Sequence, residues 1–488
     1  MDSNAKTQHK KNGIINNFLW RLLERFGANI VTFVVSIVLA RLLDPQAYGI
    51  VALITAITTI LQVFVDSGLA NALIQKKGAD NKDFSTVFFF NIAVCLVLYF
   101  TLFFTAPLIA KFFGKYNQSL LIGLIRVSSL TLIIAGVKNV QQAYVAKNMI
   151  FKKFFFATLG GTLAAAVIGI VMALRGYGPW ALVIQLVFNA TIDTIVLWFT
   201  VKWRPIKYFS FKRLKVLLKY GWKLLVTNLL RVGYAEIRSL IIGKKYSADD
   251  LAFHQKGNLF PKTIVNNVDS AIDSVLLPSM SSIQDDKKSL KELTRHSIQL
   301  SSYIMFPLMA GLAMCSQSII IVFLTEKWLP ASFFMIVFSF ALALHPIHTA
   351  NLNAIMASGR SDLVLKLEII KKTIDFMVLL VSMWFGVKAI ALGFLLCTIL
   401  EQVVNAWPNR KILNYGFLHQ IIDLIPNIIP TLIMCIFVFA VGYGKPVGIG
   451  TLLKQIIIGG FVYFVFSALF QNKSYNVIIN KMKSFFRK

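Results

Sequence analysis

Acidic residues are scarce in this chain. Its 488 residues include 21 Asp and Glu against 50 Lys and Arg, and only 15% of positions carry a charge at all. A soluble globular chain is about 25% charged, so the deficit excludes an ordinary water-soluble domain. Cysteine is sparse too. Cys95, Cys315, Cys397 and Cys435 all sit in apolar stretches, which excludes a disulfide framework and suggests no metal site. No Gly-rich phosphate loop with Lys, no nucleophile elbow and no His-Glu-x-x-His pair occurs. The opening MDSNAKTQHKKNG lacks the cleavage pattern of a signal peptide and reads as a cytoplasmic tail. Long polar loops are missing as well, so no extramembrane domain fits and any function must lie inside a helical bundle.

What remains is apolar. Hydrophobic residues make up 57% of the chain, with a mean hydropathy of +0.69. A membrane span needs about 20 such residues, and the runs predict an all-α polytopic membrane protein with about 14 transmembrane helices. They lie near 16–41, 46–74, 84–112, 118–147, 153–175, 179–202, 216–243, 249–282, 292–325, 329–357, 362–386, 388–410, 418–443 and 450–471. The segment near 249–282 is the least apolar and is included because the repeat described below requires it. The expected organisation is a tail at 1–15, a first lobe at 16–203, a cytoplasmic linker at 204–215 and a second lobe at 216–411. Two appended spans (412–471) and a basic tail (472–488) follow.

The formal net charge of +29 has three candidate sources: a nucleic-acid surface, positive cytoplasmic loops, or a cationic cavity within the membrane. With the N-terminus inside, cytoplasmic tails and loops carry 31 of the 50 Lys and Arg and the opposite loops carry 10. The positive-inside rule expects this split, with an even number of spans and both termini cytoplasmic. The juxtamembrane cluster Lys202, Arg204, Lys207, Lys212, Arg213, Lys215 and Lys219 suits anionic lipid headgroups, and no nucleic-acid partner is expected. Nine cations are left inside predicted spans: Arg21, Arg25, Arg126, Lys138, Lys223, Arg231, Arg238, Lys256 and Lys262. Each costs roughly 2.5–3.5 kcal/mol to insert, so they are the main functional signal.

The two halves show a faint duplication at an offset of roughly 202–211 residues. Trp20 matches Trp222, and DPQAYGIVAL (44–53) resembles SADDLAFHQKGNL (247–259). AYVAKNMIFKK (143–153) resembles AIMASGRSDLVLK (354–366), and the Gly176 turn matches Gly386. Two pseudo-symmetric six-helix lobes related by a parallel repeat follow, with the binding site expected between them. On the first helix of the first lobe, Arg21, Arg25, Asn29, Thr32 and Ser36 share an arc of roughly 80°. Lys223, Thr227, Arg231, Tyr234 and Arg238 repeat that stripe in the second lobe. The stripe predicts either a shared cationic cavity or a polar seam between helices, and the cations favour the cavity because seams use Ser, Thr and Asn.

Thr55, Thr58, Gln62 and Asp66 share a face of the second span. In the eighth, Lys256, Thr263, Asn267, Ser270 and Ser274 share one face, and Lys262, Asn266, Asp269 and Asp273 another. The intramembrane carboxylates Asp66, Asp193, Glu236, Asp269, Asp273 and Glu401 would pair with cations. Among them Asp66, Asp269 and Asp273 are candidates for an H⁺ or Na⁺ coupling ion; no other cofactor is expected. His345-Pro346-Ile347-His348 reads as hinge packing rather than a metal site, and Gly160-Gly161 as close helix packing.

A cationic cavity at membrane depth calls for an anion, and Arg suits phosphate or carboxylate in bidentate fashion. A lipid-linked, phosphate-bearing amphiphile uses both cavity and bilayer. At this point the residues meet a family. The stretch WRLLERFGANIVTFVVSIVLARLLDPQAYGIVALITAITTILQVFVDSGLANALIQKK resembles bacterial Wzx-type polysaccharide flippases of the MOP exporter superfamily, nearest the colanic-acid and teichuronic-acid exporter subgroup. The resemblance rests on Arg41-x-Leu43-x-Pro45-x-x-Tyr48-Gly49, on Asp66-x-Gly68-Leu69 and on Ala72 to Gln75. It implies a two-lobed, MATE-like V-shaped bundle. Such a bundle moves undecaprenyl-diphosphate-linked oligosaccharide repeat units across the cytoplasmic membrane by alternating access, for exopolysaccharide or cell-surface polysaccharide synthesis. Polysaccharide polymerase and chain-length machinery are the partners it implies. Cavity cations vary in position within the family, so the assignment to Arg21, Arg25, Lys223, Arg231, Arg238 and Lys256 comes from the stripe. Asn29, Thr32, Ser36, Thr227, Tyr234, Gln62 and Asn267 would line the cavity.

Three alternatives remain open. A cation-coupled multidrug antiporter of the same fold expects acidic lobes, whereas cations outnumber acids on the stripe. A membrane glycosyltransferase or polymerase expects a sizeable outer loop with catalytic residues, and the outer loops are short. A lipid-binding scaffold without transport is the third. The expected protein is a transporter rather than an enzyme.

Overall fold

The computed structural model describes residues 27, 30–66, 68–148 and 150–486. Its helices in chain order are α1 (Ile30–Leu42), α2 (Pro45–Asp66), α3 (Leu69–Gln75), α4 (Asn81–Phe112), α5 (Gln118–Ser128), α6 (Leu130–Lys147), α7 (Phe151–Leu174), α8 (Pro179–Thr200) and α9 (Phe211–Lys245). Then come α10 (Ala248–Ser281), α11 (Lys287–Met314), α12 (Ser316–Phe323), α13 (Ala331–Ala343), α14 (His345–Ala357), α15 (Ser361–Ser382), α16 (Val387–Ile412), α17 (Phe417–Gly442), α18 (Ile449–Leu469) and α19 (Lys473–Phe486). No strand occurs among the described residues.

Every predicted span is mainly helical where it is described. Nine helical stretches among the described residues are long and apolar enough to cross a membrane. The expected fourteen is therefore not reached on length and apolarity alone. α9, α10 and α15 are long helices that fall short because they carry charge mid-helix. α10 is an unbroken helix of 34 residues, about 51 Å at 1.5 Å per residue. Among the described residues four spans are broken. Cys315 separates α11 from α12. Gly68, at φ 66°, separates α2 from α3. Ser129 separates α5 from α6, and Leu344 separates α13 from α14 just before Pro346.

Contacts divide the chain into two units, Met1–Leu251 and Ala252–Lys488. The repeat places the boundary at the linker 204–215, whereas α9 packs on α2, α3 and α4 and lies with the first unit. The physical reason lies in residues 201–213. Arg213 bonds Asp80 at 2.6 Å and the buried Asp83 at 2.9 Å, and Lys76 reaches Asp83 at 2.6 Å. Asp80 and Asp83 form the capping box that starts α4. Arg204 donates to the carbonyls of Val201 (2.6 Å), Trp203 (2.7 Å) and Trp198. Gln141 Nε2 donates to Trp203 O at 3.1 Å. Arg213 is thus half-buried against Asp80 and Asp83, whereas Arg204, although tied to three carbonyls, is exposed like its neighbours Lys202, Lys207, Lys212, Lys215 and Lys219.

In the second unit, Asn351, Gln402, Asn409 and Gln420, all nearly inaccessible to solvent, join α14, α16 and α17 by amide hydrogen bonds of 2.7–3.0 Å. Such amide networks tie membrane helices together where apolar packing alone does not choose a register. α11 starts at Asp286, whose fully exposed carboxyl is held below the usual carboxylate range by hydrogen bonds from the Ser289 hydroxyl and from the Ser289 and Lys288 main chain. The appended α17 and α18 pack on each other and on α11. The predicted basic tail is helical from Lys473 to Phe486. Asn472 caps its first turn and ties it to Asn427 of α17 at 2.8 Å.

Candidate functional site

In the first unit, α2 and α6 meet around Asp66. The carboxylate is the last residue of α2 and accepts a 2.8 Å bond from Asn139 Nδ2 of α6. Gly68 is needed just beyond it for two reasons. Its positive φ suits glycine, and a Cβ would stand 2.5 Å from the Gly221 carbonyl of α9. The break therefore lets α9 approach closely beside Asp66.

Asp66 lines two cavities. One of about 330 Å³ is lined by Asn71, Asn139, Gln142 and Asn228 among others. The second, about 300 Å³, is lined by Thr55, Thr58, Thr59, Gln62, Ser128 and Thr131 together with Val232 and other apolar residues. Both are at the small end of the range for ligand pockets, and both present neutral hydrogen-bonding groups around one carboxylate. α9 contributes to both, through Asn228 and Val232.

On α9, Lys223, Thr227 and Arg231 are exposed, and Tyr234 and Arg238 half-buried. Arg231 Nη2 bonds Asn228 Oδ1 at 3.4 Å, so the cation stands beside a residue of the first cavity. Arg238 lies over the Tyr234 ring at 5.8 Å, and the Thr227 hydroxyl donates to the Lys223 carbonyl at 2.9 Å. Thr32 is exposed and Ser36 half-buried, its carbonyl accepting from Tyr48 Oη at 3.2 Å. Arg21, Arg25 and Asn29 lie outside the described residues.

Three other intramembrane cations have local partners. Lys138 pairs with Asp193 at 2.9 Å. Arg126 donates to the Phe103 carbonyl at 3.2 Å and lies 4.2 Å from the centre of its ring. Lys256, in the second unit, is 7% exposed with its ammonium 5.9 Å from the Trp328 ring centre. It is a core residue rather than a lining one, because α10 turns that face toward Trp328. Asn267 is exposed, and its amide donates to Thr263 O at 2.9 Å. Asp269 pairs with His345; the side chain of Asp273 lies outside the described residues.

The loop motif has a structural role. Pro45 is the first residue of α2, a position suited to its missing N–H. A Cβ on Gly49 would stand 1.8 Å from the Ala248 carbonyl. The two segments matched by the repeat, at 44–53 and 247–259, thus touch main chain to main chain. Gly161 packs α7 closely on α8, where a Cβ would lie 3.1 Å from Asp193 N, whereas Gly160 faces open space. The sequence pattern had not singled out Asn71, Asn139, Gln142 or Asn228. The i, i+3 spacing of Asn139 and Gln142 was the one signal available.

A family model described as polysaccharide biosynthesis protein matches residues 38–333. The succinoglycan biosynthesis transport protein ExoT of Rhizobium meliloti (strain 1021) is 24% identical over 325 residues, which cover 67% of this chain and 64% of that protein. The match thus spans less than two thirds of that relative. An uncharacterized membrane protein in the cps region of Klebsiella pneumoniae is 25% identical over 500 residues, 97% of each chain. Among solved structures, the lipid II flippase MurJ in an inward closed conformation matches with TM-score 0.77 at 17% identity, over 95% of this chain and 100% of that one. That likeness establishes the fold, and the apolar helices with it make this a multi-pass membrane protein.

Proposed function

The chain belongs to the polysaccharide biosynthesis protein family, and on that premise we propose that it is a flippase for oligosaccharide units linked to a polyprenyl diphosphate. It would move them across the cytoplasmic membrane by alternating access, with both termini cytoplasmic, and supply the synthesis of an exopolysaccharide or another cell-surface polysaccharide. A relative named for succinoglycan transport and the fold of a lipid II flippase support this reading. Anionic lipids at the exposed lysines and polymerase machinery downstream are its proposed partners.

The observation that carries the proposal is the placement of Arg231. It stands exposed on α9, bonded to Asn228, while Asn228 and Val232 line the two cavities around Asp66. A diphosphate held by Arg231 and Lys223 would present its sugar to Asn71, Gln142, Gln62 and Thr55. Those neutral donors and acceptors match hydroxyls, and the guanidinium matches phosphate oxygens. Asp66 would hold a coupling H⁺ or Na⁺, or a sugar hydroxyl. A drug antiporter would place acids where this stripe has cations.

The test is reconstituted translocation of a fluorescent undecaprenyl-diphosphate sugar. Arg231→Ala is expected to reduce it at least about tenfold, the loss of roughly 1.4 kcal/mol or more from a charge-assisted bond, and Arg231→Lys to restore part of it. Unchanged translocation by the alanine variant, purified as a monodisperse protein, would remove Arg231 from the substrate path.

A further inference from the structure

The second unit holds a chain of ionisable side chains that the substrate path does not use. His345 opens α14 immediately after the break at Leu344, and its Nδ1 meets Asp269 Oδ2 of α10. His348 lies one turn on, its ring centre 6.1 Å from that of His345. Its Nδ1 is 3.9 Å from Glu401 Oε2 of α16. α15 completes the cluster: Lys371 bonds Glu368, and Lys371, Lys372, Asp375 and Glu368 all act electrostatically on Glu401. The charged groups that act on the two imidazoles are Asp269, Glu401 and Lys371.

The depth of these residues is unusual. Asp269, His345, Lys371 and Glu401 each lie ten or more residues from both ends of the helix or broken span that carries them. That is about 15 Å at 1.5 Å per residue, the half-thickness of a bilayer core of about 30 Å. Ionisable groups at that depth are costly, and where they persist they mark ion pathways and proton relays. The charges do not balance unless protons are added. Within this cluster the carboxylates of Asp269, Glu368, Asp375 and Glu401 outnumber the ammonium groups of Lys371 and Lys372 by two when both imidazoles are neutral. Proton binding to the cluster offsets that excess. Asp269 Oδ1 is buried and has no hydrogen-bond partner among the described residues, so the pair has a spare acceptor.

We propose that Asp269, His345, His348 and Glu401 form a proton-binding site that couples transport to a proton gradient. The assignment of a coupled process rests on the transporter reading above; the site itself does not. The His345 side chain is 48% exposed, and those of His348 and Glu401 are 7% and 20% exposed. On this reading protons enter at His345, the least buried of the three. With Nδ1 turned to Asp269, the arriving proton binds Nε2 and makes an imidazolium whose charge the carboxylate offsets. This strengthens the tie between α10 and α14. Transfer inward passes that one proton by way of His348 to Glu401, neutralises the carboxylate, returns His345 to the neutral form and loosens the tie. Pro346, with no N–H, leaves the α13–α14 joint free to follow.

Two measurements on the full-length protein test this. In ¹⁵N-histidine-labelled wild type, nitrogen shifts are expected to show His345 changing protonation between about pH 5 and 8, with a midpoint that moves in Asp269→Asn and in Glu401→Gln. A His345 imidazole that keeps one protonation state across that range overturns the site. In proteoliposomes, an imposed pH gradient is expected to change translocation of the fluorescent undecaprenyl-diphosphate sugar about fivefold or more, a response that His345→Gln and Glu401→Gln lose. Wild type that translocates equally with and without the gradient, or responds only to Na⁺, refutes proton coupling and leaves the flippase reading intact. Wild type that moves no sugar while His345 titrates in linkage with Asp269 and Glu401 refutes the flippase reading and leaves the proton site.

Discussion

Replacing Lys138 by Met separates a cation that stabilises the fold from one that meets substrate. Lys138 Nζ lies 2.9 Å from Asp193 Oδ2, with side chains 20% and 11% exposed. At an effective dielectric of about 20, the gross attraction at that distance is about 6 kcal/mol. Most of it offsets the desolvation of two ions brought into the bundle. Net stability therefore depends on keeping the charges matched rather than on having them. Lys138→Met leaves Asp193 buried and unpaired, as does Asp193→Asn for Lys138, and each single change is expected to cost about 3–5 kcal/mol. The double variant removes both charges and is expected to cost only about 1 kcal/mol, a coupling of about 5 kcal/mol or more.

The assay is the apparent melting temperature in detergent at one fixed scan rate, read as loss of the monodisperse peak, because unfolding of such a protein is irreversible. In a chain of this size each kcal/mol corresponds to about 1–2 °C, so each single variant should melt about 5 °C lower and the double variant close to wild type. Additive losses, with the double variant the least stable of the three, would refute the pairing argument. Loss of translocation in a double variant of normal stability would place Lys138 on the substrate path instead.

Gly49→Ala tests the contact between the repeated segments. A Cβ 1.8 Å from the Ala248 carbonyl must separate two main chains, and a cost of about 2–3 kcal/mol is expected, visible as reduced monodisperse yield; wild-type yield and melting would refute the close approach. Arg213→Ala is expected to leave stability nearly unchanged, since Lys76 still covers Asp83. Adding Lys76→Ala leaves that buried carboxylate alone and should bring the loss to about 3 kcal/mol. Two small additive effects would show that Asp83 is not held by these two cations together.

Helices were the legible part of this chain because a bilayer imposes one requirement, a long run of satisfied backbone, that apolar length reveals directly. α10 was legible only through the repeat, since its own polarity hides it. The breaks at Gly68 and Ser129 were not anticipated; the one at Gly68 depends on the neighbouring helix, because Gly68 is needed where α9 crosses. α19 was read as a polar tail, although Tyr475, Ile478, Ile479 and Met482 recur at helical spacing. Pairing was the illegible part. Lys138 and Asp193 are 55 positions apart, and Asp269 and His345 are 76 apart. No local pattern joins them, so a His-Pro-Ile-His that reads as hinge packing becomes half of an ionisable chain once α10 is in place.

The cations themselves show why a count of intramembrane charge cannot locate a binding site. Lys138, Arg126 and Lys256 were as conspicuous in the sequence as Arg231, yet the fold gives them a carboxylate, a carbonyl with an aromatic ring, and a tryptophan. A cation already held at 2.9 Å by a buried carboxylate gains little by exchanging that partner for a phosphate. Arg231 differs in that its bond to Asn228 is 3.4 Å long and made to a neutral amide, near the limit at which a hydrogen bond still counts. A phosphate would replace a long neutral contact with short charge-assisted ones, so the exchange favours the ligand. The charge that is cheapest to take from its present partner is the one a substrate can use. By that criterion Arg231 on α9 is the cation to test first, ahead of Lys138, Arg126 and Lys256, which already have partners.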